Sequence, residues 1–278
     1  MTRGGGTGWP PRAFRVKTGG REGPLRTVNA NGIDLNVTEI GHGPPLVMLH
    51  GLLIGNIATW YFTCARALAG RHRVVLYDLR GHGRSARPTE GYDVSTMADD
   101  LAALAEALEL ESFDLVGHSW GGLIALDYAR RYARVRRLAT VEAPLAISES
   151  DALWSILSLD SEEMATELLA ALPETLRRDF DPQRRRGRLR LEALAALAGE
   201  TSLLDDLAER RPPTDEALGA IRCPVLSVYG AHSPCLGSAD RLARALPAVR
   251  TVTLDGGHFL PLEAPEALGK VLMEFFDG

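Results

Sequence analysis

Six short apolar runs recur along the chain: Leu46–Leu49, Arg73–Tyr77, Phe113–Val116, Leu138–Val141, Val225–Tyr229 and Val249–Leu254. Each is too short for a stable helix and of the right length for a buried strand. Between several of them lie stretches with apolar residues three and four apart, as in Thr96–Leu110 and Leu123–Arg134, the spacing of an amphipathic helix. Strand alternating with helix predicts an α/β protein whose mostly parallel sheet is covered on both faces. Upstream, Val28–Ala30 and Ile33–Val37 flank Asn31-Gly32, a pair suited to a two-residue turn, so the ordered chain is expected to open with a hairpin.

The alternation stops after the sixth strand. From Pro144 to Arg222 only helical patterns appear: Asp151–Leu159, Glu162–Leu172, Leu189–Ala198 and Leu203–Arg210. A structureless excursion of that length is uncommon inside a compact domain. Residues 144–222 are therefore expected to form a helical cap inserted between two core segments, 26–143 and 223–278. Within it, Arg184, Arg185, Arg186, Arg188 and Arg190 form a charge run whose ordinary reading is a solvated face, with an anion site as the alternative.

Composition excludes several functions. With 278 residues, 45% of them hydrophobic, the chain can bury a full core without covalent staples. Cys64, Cys223 and Cys235 are odd in number and widely spaced, which argues against a disulfide framework or a zinc site. A net charge of −5 supplies no basic field for nucleic acid. No run approaches a membrane span of about 20 residues, so a soluble protein without a membrane partner is expected. The cationic first residues contain no apolar stretch of secretory type, and a cytoplasmic location follows as the expectation. Residues 1–25, rich in glycine and arginine, read as a flexible tail.

The chemistry centres on Gly117-His118-Ser119-Trp120-Gly121, a GxSxG motif placed between a predicted strand and a predicted helix. In that turn the serine takes a strained backbone conformation and projects its hydroxyl from the sheet edge, while the flanking glycines remove side chains that would collide there. A neutral hydroxyl is a poor nucleophile and needs a base within hydrogen-bond reach. His258, in Gly256-Gly257-His258-Phe259 just past the last predicted strand, stands where the carboxyl edge of the sheet would carry it to Ser119. An acyl-transfer intermediate also needs two backbone donors for its oxyanion. The backbone N–H groups of Trp120, and of Leu52 in the reversal His50-Gly51-Leu52, are the expected pair. His50, Trp154 and His232 are candidates to contact substrate.

Taken in order, His50-Gly51, the turn Asp78 to Ser85, the Ser119 motif and Gly257-His258 resemble the α/β hydrolases that carry a helical cap, over residues 26–278. The resemblance implies an eight-stranded sheet, a serine, acid, histidine order and cofactor-free, metal-free chemistry on a small-molecule substrate. It also implies that Asp78 to Ser85 is a structural turn. One departure bears on the acid. Where relatives carry an aspartate after the strand that follows the cap, this chain reads Gly230-Ala231-His232-Ser233-Pro234. Other members place the acid after the strand that follows the nucleophile's helix, where Glu142 stands here; Asp255 and Asp240 are the alternatives.

The expected function is a serine hydrolase acting on an ester, thioester or lactone of a largely apolar substrate, such as an esterase or thioesterase of specialised metabolism. A cofactor-free lyase, cyclase or acyl transferase on the same scaffold is the second reading. A non-catalytic ligand-binding member is the third.

Overall fold

The structure, a computed structural model, describes residues 23–146, 148 and 161–278. Among them eight strands form one sheet: β1 (Arg26–Ala30), β2 (Ile33–Ile40), β3 (Pro45–Leu49), β4 (Arg73–Tyr77), β5 (Phe113–His118), β6 (Val135–Val141), β7 (Val225–Gly230) and β8 (Val249–Leu254). Their order across the sheet is β1-β2-β4-β3-β5-β6-β7-β8. β1 and β2 are joined antiparallel through Asn31 and Gly32, whose φ angles of 51° and 77° are those a tight hairpin turn requires. β2 meets β4 antiparallel, and every pairing from β4 to β8 is parallel.

Successive side chains of a strand point to opposite faces, and the two faces have separate cores. Val47 and Leu49 join the helices Val94–Ala107 and Trp120–Arg131 through Leu101, Leu104, Leu123 and Ile124. Leu46 and Met48 join Trp60, Leu68, Leu268 and Leu272 on the other face, where the helix Pro265–Asp277 lies. Every residue of β5 and β7 is buried, as strands covered on both sides must be, whereas the edge strand β8 has no fully buried residue.

Between β6 and β7 the described residues form helices at Ser161–Ala171, Glu174–Arg177, Arg185–Gly199, Leu203–Ala208 and Asp215–Gly219. The two short ones, at 174 and 215, are below the length that periodicity reveals. The segment is tied to the core by Ser202 N–H to Thr89 O at 2.8 Å and Tyr92 N–H to Asp206 Oδ2 at 2.8 Å. Arg210 donates to the carbonyls of Pro144 and Ala146 at 3.1 and 3.0 Å. The helix expected at Asp151–Leu159 and nearly all of the 1–25 tail lie outside the described residues. Gly23 is described, and its N–H donates to Glu39 O at 2.9 Å.

The strand order brings the carboxyl ends of β3, β5 and β6 side by side, with those of β7 and β8 next in line. The loops at residues 50–53, 119, 142, 230–235 and 255–258 all leave from that one edge.

Candidate active site

Ser119 follows β5 directly and precedes the helix Trp120–Arg131, with φ 53° and ψ −120°. That conformation is unfavourable for a residue with a Cβ and persists only where the surroundings enforce it. Here Ser119 N–H donates to Val141 O at 2.8 Å, and Ser119 O accepts from Gly122 N–H at 2.8 Å. The two motif glycines are needed for close approach. A side chain on Gly117 would meet the Gly121 carbonyl, and one on Gly121 would meet His50 O.

Beyond β8, Gly256 at φ 151° turns the chain and Gly257 N–H donates to Glu263 Oε2 at 2.6 Å. The loop presents His258 Nε2 at 2.9 Å from Ser119 Oγ. On the other side of the ring, Glu142 Oε2 lies 3.4 Å from His258 Nδ1. Glu142 is fully buried, sits at φ 58° immediately after β6, and anchors its own N–H on Val228 O at 2.9 Å. Its Oε1 accepts from Gly230 N–H and its Oε2 from the Ser233 hydroxyl. Cys235 Sγ lies 3.5 Å from the same Nδ1.

Of the three carboxylates weighed from sequence, Glu142 is the one brought to His258. Asp255 is exposed and pairs with the exposed His232 at 3.4 Å, while Asp240 is exposed on the helix Gly237–Ala245.

The loop after β3 runs beside the serine. A Cβ on Gly51 would lie 3.1 Å from Ser119 Cβ, and Leu52 lines the cavity over the serine. Neither Leu52 N–H nor Trp120 N–H has an acceptor among the described residues, so both donors are open to a ligand.

Two of the expected substrate contacts are corrected. His50 is fully buried and does not reach the cavity. Its Nδ1–H donates to Gly51 O at 2.8 Å and its Nε2 accepts from Leu79 N–H at 3.0 Å. Burial, with His82 close by, pushes its pKa down to about 3. It is a neutral brace for the loop. His232 points into solvent beside Asp255 and is absent from the cavity wall. Trp154 lies outside the described residues.

Three contributions were not read from the sequence. His118, inside the GxSxG motif, donates from Nε2 to His258 O at 2.8 Å and so holds the histidine loop; burial first, then the nearby His258, lowers its pKa to about 3. His82 accepts Leu53 N–H at its Nε2 at 2.7 Å and donates from Nδ1 to Arg80 O at 2.7 Å. Ser233 supports Glu142. The turn that holds His82 is structural in its other members: Asp78 accepts from Ile57 N–H at 2.8 Å, Asn36 Nδ2 at 2.7 Å and Arg84 N–H at 2.9 Å.

Glu142, Cys235 and His258 place potential metal-ligand atoms within 4.8 Å of one another. Both Glu142 oxygens accept hydrogen bonds, from Gly230 and Ser233.

A cavity of about 1290 Å³ opens over Ser119 and His258. Leu52, Ile54, Leu168, Leu176, Phe180 and Leu262 give it apolar surface, and arginines of the inserted segment stand on its wall. No described helix is long and apolar enough to cross a membrane.

Comparison with known proteins shows the family. Residues 44–217 match the family described as the alpha/beta hydrolase fold. The chain is 30% identical over 258 residues to an AB hydrolase superfamily protein of Bacillus subtilis, covering 87% of this chain and 95% of the relative. It is 38% identical over 122 residues to 2-hydroxy-6-oxo-2,4-heptadienoate hydrolase of Pseudomonas putida, covering 42% and 44%. A solved thermophilic esterase from Thermogutta terrifontis superposes with a TM-score of 0.73 at 26% identity, covering 91% of this chain and 98% of that one.

Proposed function

Since the chain belongs to the α/β hydrolase family, we propose that it hydrolyses a carboxylic ester, thioester or lactone through an acyl-enzyme on Ser119. The reading rests on one observation above the others: a hydroxyl held at a strained turn with an imidazole nitrogen 2.9 Å away and a buried carboxylate behind that imidazole.

In the acylation step Ser119 Oγ attacks the carbonyl carbon while its proton passes to His258 Nε2. Glu142, acting through Nδ1–H, fixes the tautomer and stabilises the imidazolium that forms. The negative oxygen is received by the N–H groups of Leu52 and Trp120, which the helix Trp120–Arg131 reinforces with its positive end. His258 then protonates the leaving group. Water, deprotonated by the same nitrogen, attacks the acyl carbon, and Ser119 is regenerated when the tetrahedral intermediate collapses. The described residues between β6 and β7 roof the cavity in this reading, as a cap over the carboxyl edge of the sheet.

A fluorophosphonate probe tests the assignment. Stoichiometric labelling is expected, abolished by Ser119→Ala and strongly slowed by His258→Ala. Undiminished labelling of the Ser119→Ala protein would remove this serine from the mechanism.

A further inference from the structure

Of the charge run whose ordinary reading is a solvated face and whose alternative is an anion site, Arg184, Arg185, Arg186 and Arg190 lie on the wall of the same cavity as Ser119 and His258, and Arg188 is not among its lining residues. Arg177, Arg178, Arg184, Arg185, Arg186 and Arg190 all line it. Between Glu174 and Arg190 the chain carries seven arginines and three carboxylates, a local excess of four positive charges in a protein whose net charge is −5.

Half of these side chains are already engaged. Arg177 Nε donates to Leu172 O at 3.0 Å, Arg184 pairs with Asp181 at 3.1 Å, and Arg190 pairs with Asp179 at 2.6 Å while lying over the Phe180 ring. Arg178, Arg185 and Arg186 have no carboxylate partner among the described residues. Arg185 and Arg186 also open the helix Arg185–Gly199, where the helix dipole adds to their charge and no acidic side chain in the first turn offsets it. Gly187 seats that turn against the backbone of Asp181, where a side chain would meet the Asp181 carbonyl.

Building on the serine-hydrolase reading, we propose that the substrate carries an anionic group, a carboxylate or a phosphate, that docks on Arg178, Arg185 and Arg186 while its acyl carbonyl meets Ser119. Guanidinium groups present paired donors that match either oxyanion. The apolar residues nearer the serine would take the uncharged part of the substrate.

Two matched substrate pairs test this. One is the 4-nitrophenyl monoester of glutaric acid against 4-nitrophenyl hexanoate; the other is butyryl-coenzyme A against the butyryl thioester of N-acetylcysteamine. The charged member of at least one pair is expected to be preferred in kcat/KM by roughly two- to fivefold, the preference shrinking as salt is raised. The pair that discriminates separates carboxylate from phosphate. In an Arg178→Gln, Arg185→Gln, Arg186→Gln variant the preference should vanish through KM, with turnover of the neutral esters unchanged. Indifference to charge in both pairs, or a preference that survives in the variant, would overturn the proposal while fluorophosphonate labelling of Ser119 still upheld the hydrolase reading. Loss of that labelling would instead strike the hydrolase reading, and this proposal with it.

Discussion

The hydroxyl of Ser233 donates to Oε2 of Glu142, the carboxylate oxygen that faces Nδ1 of His258 at 3.4 Å. The position to which the family resemblance assigns an acid thus supports, in the proposed mechanism, the carboxylate of Glu142 at the end of the neighbouring strand. Glu142→Gln should lower kcat by about 10³- to 10⁴-fold, because an amide neither stabilises the imidazolium nor fixes the tautomer. Adding Ser233→Asp to Glu142→Gln should restore at least roughly tenfold of that loss, since the new carboxylate would enter the space around the same ring nitrogen. Steady-state kinetics on one aryl ester decides the matter. A double variant no faster than Glu142→Gln would mean that the two positions are not interchangeable.

Cys235 Sγ and Glu142 Oε2 stand at nearly the same distance from His258 Nδ1, 3.5 and 3.4 Å. A thiol is a weak hydrogen-bonding group and carries no charge to stabilise an imidazolium, so the carboxylate dominates. Cys235→Ala should change kcat by less than about threefold, against the large loss in Glu142→Gln. A loss of several hundredfold in a folded Cys235→Ala protein would assign the thiol a part in proton transfer.

The loop bearing Leu52 is held by two neutral imidazoles. His50 bonds Gly51 O and Leu79 N–H, and His82 accepts from Leu53 N–H at 2.7 Å, with Leu53 itself at φ 69°. His82→Ala removes that acceptor and releases a residue in the left-handed region. Loss of one oxyanion donor costs about 10²- to 10³-fold in kcat, and a loosened loop should approach the lower figure with KM little changed. His82→Gln offers a replacement acceptor and should recover part of the rate. Equal rates in wild type and His82→Ala would show that the loop keeps its place without this bond.

Much of this arrangement was legible in the sequence because it depends on local chemistry. Asn31-Gly32 dictates its own turn, the glycines around Ser119 permit one strand-to-helix geometry, and apolar runs of strand length name the sheet. Parallel order then carries Glu142 and His258 to the edge where Ser119 emerges. What stayed hidden depends on contacts between distant segments. His50, His82 and His118 look alike as letters, and only the fold shows that each spends at least one ring nitrogen on a backbone group, up to 140 residues away. Ser233 reads as a lost acid until Glu142 is beside it. The arginine run has no visible target until the helix Arg185–Gly199 is placed on the cavity wall.

Those buried imidazoles also make acid stability predictable. His50 and His118 are buried, with pKa values pushed from 6.5 to about 3, and burial lowers that of His82 as well. Their folded values lie below the unfolded one, so the unfolded chain binds protons that the native state refuses. The stability they confer is fully present above pH 6.5 and is lost as pH falls from there towards 3. Each of the two strongly shifted rings should remove about 1.4 kcal/mol of unfolding free energy per pH unit across that window. Urea midpoints measured from pH 7.5 to 4.5 should fall accordingly. In His118→Asn, which lacks one titrating ring, the slope should be shallower by about 1.4 kcal/mol per pH unit whatever the variant's stability at pH 7.5. Parallel profiles for the two proteins would mean that His118 titrates freely in the native state, which its burial opposes.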